Sequence, residues 1–345
     1  MTRIGIFGGG QLAQMLTQAA VSLGVETAIF ERAADSPAGR LTQREVVGPW
    51  ENPELLARFA ELCDLVTLEN EFVSAELLAT LERRGVPVYP SSGTVGAVQD
   101  KLVQKRRMAA AGIAVPPFRA VASPDELPAA AAELGWPLVL KARRNGYDGY
   151  GNATLRGPQD VAAAWERLAR GGELLVEAWV PFARELAVMV VRGRDGETRA
   201  YPVVETLQQN HICHVVRAPA PIGEALAAAA TELAVRAVQA VGGVGVFGVE
   251  LFELPDGRVL YNELAPRPHN SGHYTIEACH CSQFENHLRA VLGWPLGPTA
   301  LRAPAAVMVN LLGGRDGPVA PDALRAALAV PGAHLHLYGK REARV

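Results

Sequence analysis

The sequence has 345 residues, which at roughly 150 residues per domain predicts two or three domains with sizeable cores. Hydrophobic residues make up 49% and charged residues 20%, a balance that argues against long disordered stretches. The formal charge is only −3, which does not favour nucleic acid, and no apolar run reaches the roughly 18 residues of a membrane span. We therefore expect a cytoplasmic protein that binds small molecules, with neither nucleic acid nor a membrane as a partner.

The first hundred residues alternate strand-like and helix-like segments. Residues 3–7 and 26–30 predict strands around a helix at 11–23, and residues 65–68 and 86–89 predict strands around a helix at 74–84. This βαβ order is typical of a parallel, doubly wound sheet. It predicts an α/β, Rossmann-like domain over residues 1–100.

A glycine turn follows the first predicted strand. Gly8, Gly10 and Ala13 fit the pattern G-x-G-x-x-G/A, and Glu31 lies at about the distance of a ribose-binding acid. Taken alone, the pattern indicates a dinucleotide-dependent oxidoreductase. The alternative is that these glycines serve close packing at the first crossover, or bind some other anion at the helix N-terminus.

Two further regions and an appendage follow. A helix at 101–111, a Pro116–Pro117 linker and strands at 137–142 and 173–177 predict a small α/β unit over residues 101–184. A strand at 185–191, a helix at 223–241 and a hairpin around residues 255–257 predict an α+β region over 185–300. Residues 301–345 form an appendage punctuated by prolines.

A lysine and a glycine-rich loop lie in the small α/β unit. Lys141 sits in an otherwise apolar strand, and Gly146, Gly149 and Gly151 follow it. A lysine buried without a partner is costly, so this side chain should point at an anion in a cleft, and the loop can close over phosphates with its backbone amides. The alternative is a solvent-facing lysine on an edge strand.

The predicted hairpin brings two acidic residues together. A two-residue turn at 256–257 pairs Glu250 with Glu263, and on the same face it pairs Phe252 with Tyr261. Facing carboxylates repel each other, so a cation should lie between them, and Mg²⁺ accepts such oxygen ligands together with nucleotide phosphates. The alternative is two solvated glutamates in a longer hairpin.

A donor-rich loop follows this hairpin. Residues 267–273, with the sequence RPHNSGH, concentrate donors between rigid prolines and suit an anionic group such as a phosphate. A polar surface loop is the alternative, but the position directly after a metal-binding hairpin favours ligand binding.

Together these segments resemble the N5-carboxyaminoimidazole ribonucleotide synthetases of the ATP-grasp superfamily. The resemblance is carried by GGGQL at 8–12, TLENE at 67–71, GYDG at 146–149, Glu177 with Val180 and Glu185, NE at 262–263 and APRPHNSGH at 265–273. It implies an ATP-grasp fold with an N-terminal Rossmann-like (pre-ATP-grasp) domain, a small α/β lid and an α+β C-terminal region.

The resemblance implies a reaction as well. ATP and bicarbonate give carboxyphosphate, which delivers CO₂ to the exocyclic amine of 5-aminoimidazole ribonucleotide and leaves ADP and phosphate, with Mg²⁺, or Mn²⁺, as the metal and a homodimer as the assembly. Three alternatives stay open: another ATP-grasp ligase similar to the formate-dependent glycinamide ribonucleotide transformylase, an NAD(P)-dependent oxidoreductase, and a nucleotide-binding regulatory module without turnover.

The resemblance assigns individual residues to these ligands. ATP is implied on Lys101, Lys141, Gly146, Gly149, Gly151, Glu177, Val180, Glu185, Asn262 and Glu263, and the metal on Glu250 and Glu263. The ribonucleotide is implied on Gly10, Gln11, Leu12, Glu71, Tyr147, Asp148, Arg267, His269, Asn270, Ser271 and Lys340. Among these, Tyr147, Asp148 and Arg267 are the expected catalytic residues.

The sequence departs from the family pattern in three places. Tyr150 replaces a basic loop residue, and Gln208 lies where relatives often have histidine. The sequence ends at Val345, where the family continues through a basic stretch that contacts the substrate phosphate. We expect weaker ribonucleotide binding from this last difference, with ATP binding retained.

Overall fold

The computed structural model describes residues 2–146, 151–170, 172–209, 212–312 and 319–339. The chain divides into two compact units, one made of Met1–Asn70 and Val309–Val345 and the other of Glu71–Met308. No helix within the described ranges is long and apolar enough to span a membrane.

The first unit is built on a parallel sheet. Its elements are β1 (Arg3–Phe7), α1 (Gln11–Ser22), β2 (Glu26–Glu31), β3 (Glu45–Val47), α2 (Pro53–Glu61) and β4 (Leu65–Leu68), and its second segment carries a helix at Pro321–Leu328. The strands lie in the order β3-β2-β1-β4, and each pairs in parallel with its neighbour. The predicted Rossmann-like opening of the chain is confirmed.

Aromatic side chains fill the core of the first unit. Phe7 on β1, Phe30 on β2 and Phe59 on α2 are fully buried, and their ring centroids lie 5.1 to 5.5 Å apart. Trp50 meets Phe7 edge-on and donates its indole N–H to the carbonyl of Phe30. The polar end of the indole is thereby satisfied inside an apolar cluster.

The second unit begins with three helices and continues into two sheets. Its elements are α3 (Ala75–Arg83), α4 (Ser92–Gln99), α5 (Lys101–Ala110), β5 (Phe118–Val121), α6 (Leu127–Leu134), β6 (Leu138–Ala142), β7 (Asn152–Leu155), α7 (Val161–Ala169), β8 (Leu174–Ala178), β9 (Arg184–Arg192), β10 (Thr198–Ala200), β11 (Val204–Gln209), β12 (Ile212–Ala218), α8 (Glu224–Val241), β13 (Gly245–Glu253), β14 (Val259–Ala265), α9 (Thr275–Ala278), α10 (Gln283–Leu292) and β15 (Ala306–Val309).

The prediction of a strand at residues 86–89 is wrong. The segment between α3 and α4 contains a single bridge residue, Val88, and no strand. Pro87 and Pro90 interrupt it, and proline has no backbone N–H to donate to a neighbouring strand. The apolar character of Val86 and Val88 therefore does not produce a strand there.

The smaller sheet forms the region predicted as a lid. Its order is β5-β8-β6-β7, with antiparallel neighbours throughout, and α6 and α7 pack on it through a common apolar core. Strand β6 lies between β8 and β7 and carries Lys141. Lys141 is therefore on an interior strand, and the solvent-facing alternative is wrong.

The larger sheet has the order β14-β13-β9-β11-β12-β15, with β10 beside β9. Helix α8 packs on one face through alanines and valines such as Ala234 and Val238, opposite Val188 and Phe247 of the sheet. Strand β14 lies at the end of this sheet, where it meets α5 through the side chains described below.

The hairpin of β13 and β14 is partly as predicted. Glu250 lies opposite Glu263, which confirms the predicted pair, but Leu251 rather than Phe252 lies opposite Tyr261. Two irregularities explain this register. The turn has three loop residues, 255–257, and a β-bulge then adds one residue to β14 and restores the pairing at the glutamates.

We predict that Phe59→Ala lowers the free energy of unfolding by about 3–5 kcal/mol, because it opens a cavity among closely packed rings. Urea denaturation followed by circular dichroism measures the loss. The control is Val21→Ala on the exposed face of α1, for which we expect less than about 0.5 kcal/mol. Equal effects of the two substitutions would show that the aromatic cluster is not the core of the first unit.

Candidate nucleotide and ribonucleotide site

The facing glutamates of the hairpin are balanced by a lysine. The ammonium of Lys101, at the start of α5, contacts a carboxylate oxygen of Glu263. Burial and the charge of Glu263 raise the pKa of Glu250, whereas the neighbouring lysines hold the pKa of Glu263 below its ordinary value. The cation expected beside this pair is thus provided, in the protein itself, by Lys101.

Asn262 occupies the bulge of β14 and links the pair to the smaller sheet. Its amide nitrogen donates to Glu250 Oε2 at 3.4 Å, and its amide oxygen accepts from Lys141 Nζ at the same distance. Because Asn262 is the extra residue of the bulge, the turn and the bulge together decide which polar groups meet here.

A buried lysine pair holds a third carboxylate. Lys105 Nζ lies 3.1 Å, and Lys141 Nζ 3.0 Å, from the same oxygen of Glu177, and all three side chains are less than a tenth exposed. Although burial alone would raise the pKa of Glu177, the two ammonium groups bring it below its ordinary value, whereas burial lowers the pKa of Lys105 to about 8. The other oxygen, Glu177 Oε1, is buried and has no hydrogen-bond partner among the described residues.

The helix that carries Lys101 and Lys105 is anchored to the base of the glycine loop. Asp100 caps α5 by accepting from the N–H groups of Leu102 and Val103, and Arg143 donates to both of its oxygens at 3.0 and 2.6 Å. In addition, the N–H of Lys101 donates to the carbonyl of Arg143. The N-terminus of α5 and the end of β6 are therefore fixed to each other.

The glycine loop after β6 is pinched at its base. A Cβ built on Gly151 would lie 2.5 Å from the Cα of Gly146, a distance that only glycine permits. Tyr147, Asp148, Gly149 and Tyr150 lie outside the described residues. The predicted roles of Tyr147, Asp148 and Gly149 in this loop therefore stay predictions.

A second polar cluster lies in the loop that follows β14. Arg267 forms a two-point ion pair with Glu71, with one N–O distance of 2.9 Å, and its charge holds the pKa of Glu71 below the ordinary value despite burial. Gln99 fixes this segment by donating to the Glu71 carbonyl at 2.7 Å.

His269 connects this second cluster to the glutamate pair. Its Nδ1 lies 2.8 Å from the Ser271 hydroxyl and 3.4 Å from the Ser271 backbone nitrogen, and its Nε2 lies 3.4 Å from Glu250 Oε1. Burial and the nearby Arg267 lower the pKa of His269 to about 4, so the ring is neutral. Gly248 on β13 allows this contact, because a Cβ there would lie 2.5 Å from that of His269.

One cavity adjoins both clusters. It has a volume of about 270 Å³, and its walls include Glu71, Lys101, Arg143 and Glu263. Charged groups of both signs line these walls, which suits a ligand that carries both phosphate and metal. The second unit therefore brings together most of the residues that the sequence predicts for ATP and metal.

The remaining predicted residues lie in several places. Asn270 begins the short helical turn that contains Ser271, Val180 is half-buried after β8, and Glu185 lies near the start of β9. Lys340 lies outside the described residues. Gly10, Gln11 and Leu12 form the beginning of α1 in the first unit.

Three backbone amides of the glycine turn and the first turn of α1 are already bonded to carboxylates of the first unit. The N–H of Gly9 donates to Glu31 at 2.6 Å, and Glu69 accepts from Gly10 and Ala13 at 3.3 and 3.4 Å. These carboxylates fill the position that a pyrophosphate would take. The interpretation of Glu31 as a ribose-binding acid of an oxidoreductase is therefore wrong.

Comparison with known proteins agrees with this arrangement. The chain matches the ATP-grasp domain family over residues 106–284, the ribonucleotide synthetase preATP-grasp domain over 1–99 and the phosphoribosylaminoimidazole carboxylase C-terminal domain over 306–345. It is 45% identical to the N5-carboxyaminoimidazole ribonucleotide synthase of Mycobacterium tuberculosis, over 98% of this chain and 80% of that protein. This chain belongs to the N5-carboxyaminoimidazole ribonucleotide synthase family.

Two further relatives are informative. The chain is 41% identical to the chloroplastic phosphoribosylaminoimidazole carboxylase of Vigna aconitifolia, but it spans only 62% of the length of that protein. It superposes with a TM-score of 0.91 and 37% identity on the Aspergillus clavatus N5-carboxyaminoimidazole synthase, over 99% of this chain and 90% of that one. That structure is a complex with ADP and 5-aminoimidazole ribonucleotide. The ATP-grasp fold implied by the resemblance is confirmed.

The synthase-family site contains residues that the sequence reasoning missed. Lys105 lies four residues after Lys101, a spacing that puts both on one face of α5, so helical periodicity was the available signal. Asp100 and Arg143 are distant in sequence, and no local pattern joins them. Gly248 lies in an ordinary apolar strand and carries no signal of its own.

We predict a pH-dependent loss of stability for Asp100→Asn. Hydrogen bonds from Arg143 outweigh burial and hold the pKa of Asp100 below its ordinary value of 3.8, so its stabilising contribution is present above that value and lost as the pH falls through the lower folded pKa. The variant should lose about 1–3 kcal/mol of unfolding free energy at neutral pH, and the deficit should shrink in acid.

Urea denaturation at about pH 7 and about pH 3 measures this difference. Asp322→Asn is the control, because Asp322 pairs with Arg325 at the surface and should matter little at either pH. A deficit for Asp100→Asn that is equal at both pH values would contradict the assignment of the effect to the carboxylate charge.

Proposed function

We propose that this chain carboxylates 5-aminoimidazole ribonucleotide, using ATP and bicarbonate and releasing ADP and phosphate. The observation that carries the proposal is the Glu250–Glu263 pair, which lies among Lys101, Lys141 and Asn262 beside the cavity. The names of the relatives support the choice of substrate, and the ATP-grasp domain supports the choice of nucleotide.

Lys101 and Lys141 are the cations best placed for the nucleotide phosphates. Each is already paired with a carboxylate, Lys101 with Glu263 and Lys141 with Glu177. Phosphoryl transfer depends on positioning and on neutralising charge at the transferred group, and two fixed ammonium groups provide both. The unpartnered Glu177 Oε1 supplies an acceptor for an N–H donor of the ligand, consistent with the predicted adenine contact.

The residues present fit a magnesium ion. Glu250 and Glu263 offer hard carboxylate oxygens on one face of the hairpin, although no group of three or more His, Cys, Asp or Glu side chains in the described ranges forms a metal cage. Two carboxylates completed by nucleotide phosphates are a common Mg²⁺ environment. When bound, the metal would neutralise the phosphate oxygens.

The second cluster is suited to the ribonucleotide. Arg267 presents a guanidinium that is held in place by Glu71, and Ser271 and the neutral His269 add donors and acceptors nearby. A fixed guanidinium binds a phosphate or a carboxylate with two-point geometry. With Asp148 as the predicted group that handles the amine proton, Arg267 and His269 would orient the acceptor toward carboxyphosphate.

Another ATP-grasp ligase is the second candidate, with formate in place of bicarbonate. No contact in the described residues favours formate, whereas the relatives reported above are carboxylating enzymes by name. We further propose a cytoplasmic homodimer, which rests on the family resemblance.

Phosphate release from Mg·ATP tests the function. We expect release to require both bicarbonate and 5-aminoimidazole ribonucleotide, and we expect the carboxylated product to appear in equal amount. Formate in place of bicarbonate is the control. Release with formate would support the second candidate, and nucleotide binding without any release would support a regulatory module.

We predict that Glu263→Gln lowers kcat roughly 100-fold or more, because it removes a metal-ligand charge and leaves Lys101 without its anion. The phosphate-release assay measures the loss, and circular dichroism checks the fold. Glu253→Gln, in the same hairpin but paired with Arg184, is the matched control and should retain activity. Equal activity of the two variants would contradict the assignment of Glu263 to the metal.

A further inference from the structure

Every hydrogen-bonding position of the Gln104 side-chain amide is occupied in the interior of the second unit. Gln104 is 3% exposed, and its oxygen accepts from the Tyr261 hydroxyl at 2.6 Å and from the Leu264 N–H at 3.2 Å. Its nitrogen donates to the carbonyls of Leu264 and Val98 at 3.1 and 3.0 Å. An amide offers two donor and two acceptor positions, so none is left over.

These contacts flank the bulge of β14. Tyr261 and Leu264 stand on either side of Asn262 and Glu263, and Gln104 binds both. Leu264 makes a two-point contact through its N–H and its carbonyl, as it would with a neighbouring strand. Since β14 is the last strand of its sheet, the Gln104 amide takes the place of that missing neighbour.

The backbone geometry of β14 shows why its outer edge needs a hydrogen-bond partner here. In a regular strand, N–H groups three residues apart point to opposite edges. In β14 the N–H of Tyr261 donates outward to the Ala114 carbonyl at 2.8 Å, and the N–H of Leu264 also points outward, to Gln104. The extra residue at Asn262 makes this possible, so the contact to Gln104 depends on the bulge.

The bulge in turn sets the positions of the metal and nucleotide ligands. It places Asn262 between Lys141 and Glu250, and it returns Glu263 to a position opposite Glu250 and beside Lys101. A strand that relaxed to regular pairing would shift this register by one residue and turn the side chains to the opposite face.

We infer that Gln104 is a positioning residue for the metal and nucleotide site, acting through Tyr261 and Leu264 on Asn262 and Glu263. This inference deepens the proposed function and rests on it. Gln104 lines the cavity, but among the described residues its side-chain hydrogen bonds go to Tyr261, Leu264 and Val98 and not to the charged groups of the site. It keeps Glu250 and Glu263 opposite each other, so that both can bind one cation. Loss of a supporting contact around metal ligands typically lowers metal affinity about 10–100-fold.

The test compares two variants with a matched control. Tyr261→Phe removes one donor to the Gln104 oxygen, and Gln104→Met removes all four hydrogen bonds at similar volume. Tyr201→Phe is the control, because Tyr201 is equally buried and donates its hydroxyl to the Cys281 carbonyl, outside the site. The main readout is the affinity for Mn²⁺ in the presence of saturating ADP, and thermal denaturation and kcat are measured alongside.

We expect Mn²⁺ affinity to fall about 10-fold in Gln104→Met and a few-fold in Tyr261→Phe, and to stay unchanged in Tyr201→Phe at a similar loss of thermal stability. Equal Mn²⁺ affinity in Tyr261→Phe and Tyr201→Phe would overturn the inference, even if Gln104→Met does not fold. If the unmodified protein binds Mn²⁺ with ADP but does not carboxylate the ribonucleotide, the proposed function fails while these affinities still decide the role of Gln104. Failure of the unmodified protein to bind Mn²⁺ with ADP would overturn the inference itself.

Discussion

Two carboxylates held face to face by a β-ladder are the constraint on which the rest of the site depends. Glu250 and Glu263 cannot move apart without breaking the pairing of β13 and β14, and at this half-buried position solvent screens their repulsion only in part. Lys101 offsets this repulsion directly, and Lys141 does so through Asn262. The helix, the loop base and the smaller sheet that carry these lysines are therefore bound to the hairpin by charge as well as by packing.

The lysines and glutamates of this site neutralise one another when neither nucleotide nor metal is bound. A phosphate without a metal would approach two half-buried carboxylates, and a metal without phosphate would compete with Lys101 for Glu263. A metal–nucleotide complex satisfies both sets of groups together, since the lysines gain phosphate oxygens while the glutamates gain the cation. On the proposed function, nucleotide and metal are thus expected to bind as one unit.

Much of this arrangement could be predicted from the sequence. One correct prediction, the glutamate pair, was nevertheless made from the wrong turn length. The pairing of Glu250 with Glu263 is correct, yet the turn has one loop residue more than predicted, and the bulge at Asn262 compensates for it. The prediction for Phe252 falls between the two irregularities and is wrong, and Phe252 instead stacks on Phe182. Periodicity cannot locate a bulge, because a bulge is fixed by distant partners such as Gln104.

The other correct predictions come from patterns that lie within a single strand or helix. The βαβ opening and the lysine in β6 follow from strand and helix periods. The strand expected at 86–89 does not form, because its prolines lack the backbone N–H groups that strand pairing requires. The glycine turn was ambiguous because Glu31 and Glu69, which fill its amides, come from two other strand ends. Such pairings are set by the tertiary fold.

Helix α5 supplies three side chains to the site from its first five residues: Lys101 to Glu263, Gln104 to the bulge and Lys105 to Glu177. Each residue inserted into an α-helix rotates everything after it by about 100°. An insertion between Lys101 and Gln104 would turn Gln104 and Lys105 away from their partners at the same time. The connection after α5 is restricted as well, because the carbonyl of Ala114 accepts from the N–H of Tyr261 and the side chain of Ile113 is buried in the core of the larger sheet. Tolerance of length changes should therefore be low from Lys101 through Ala114.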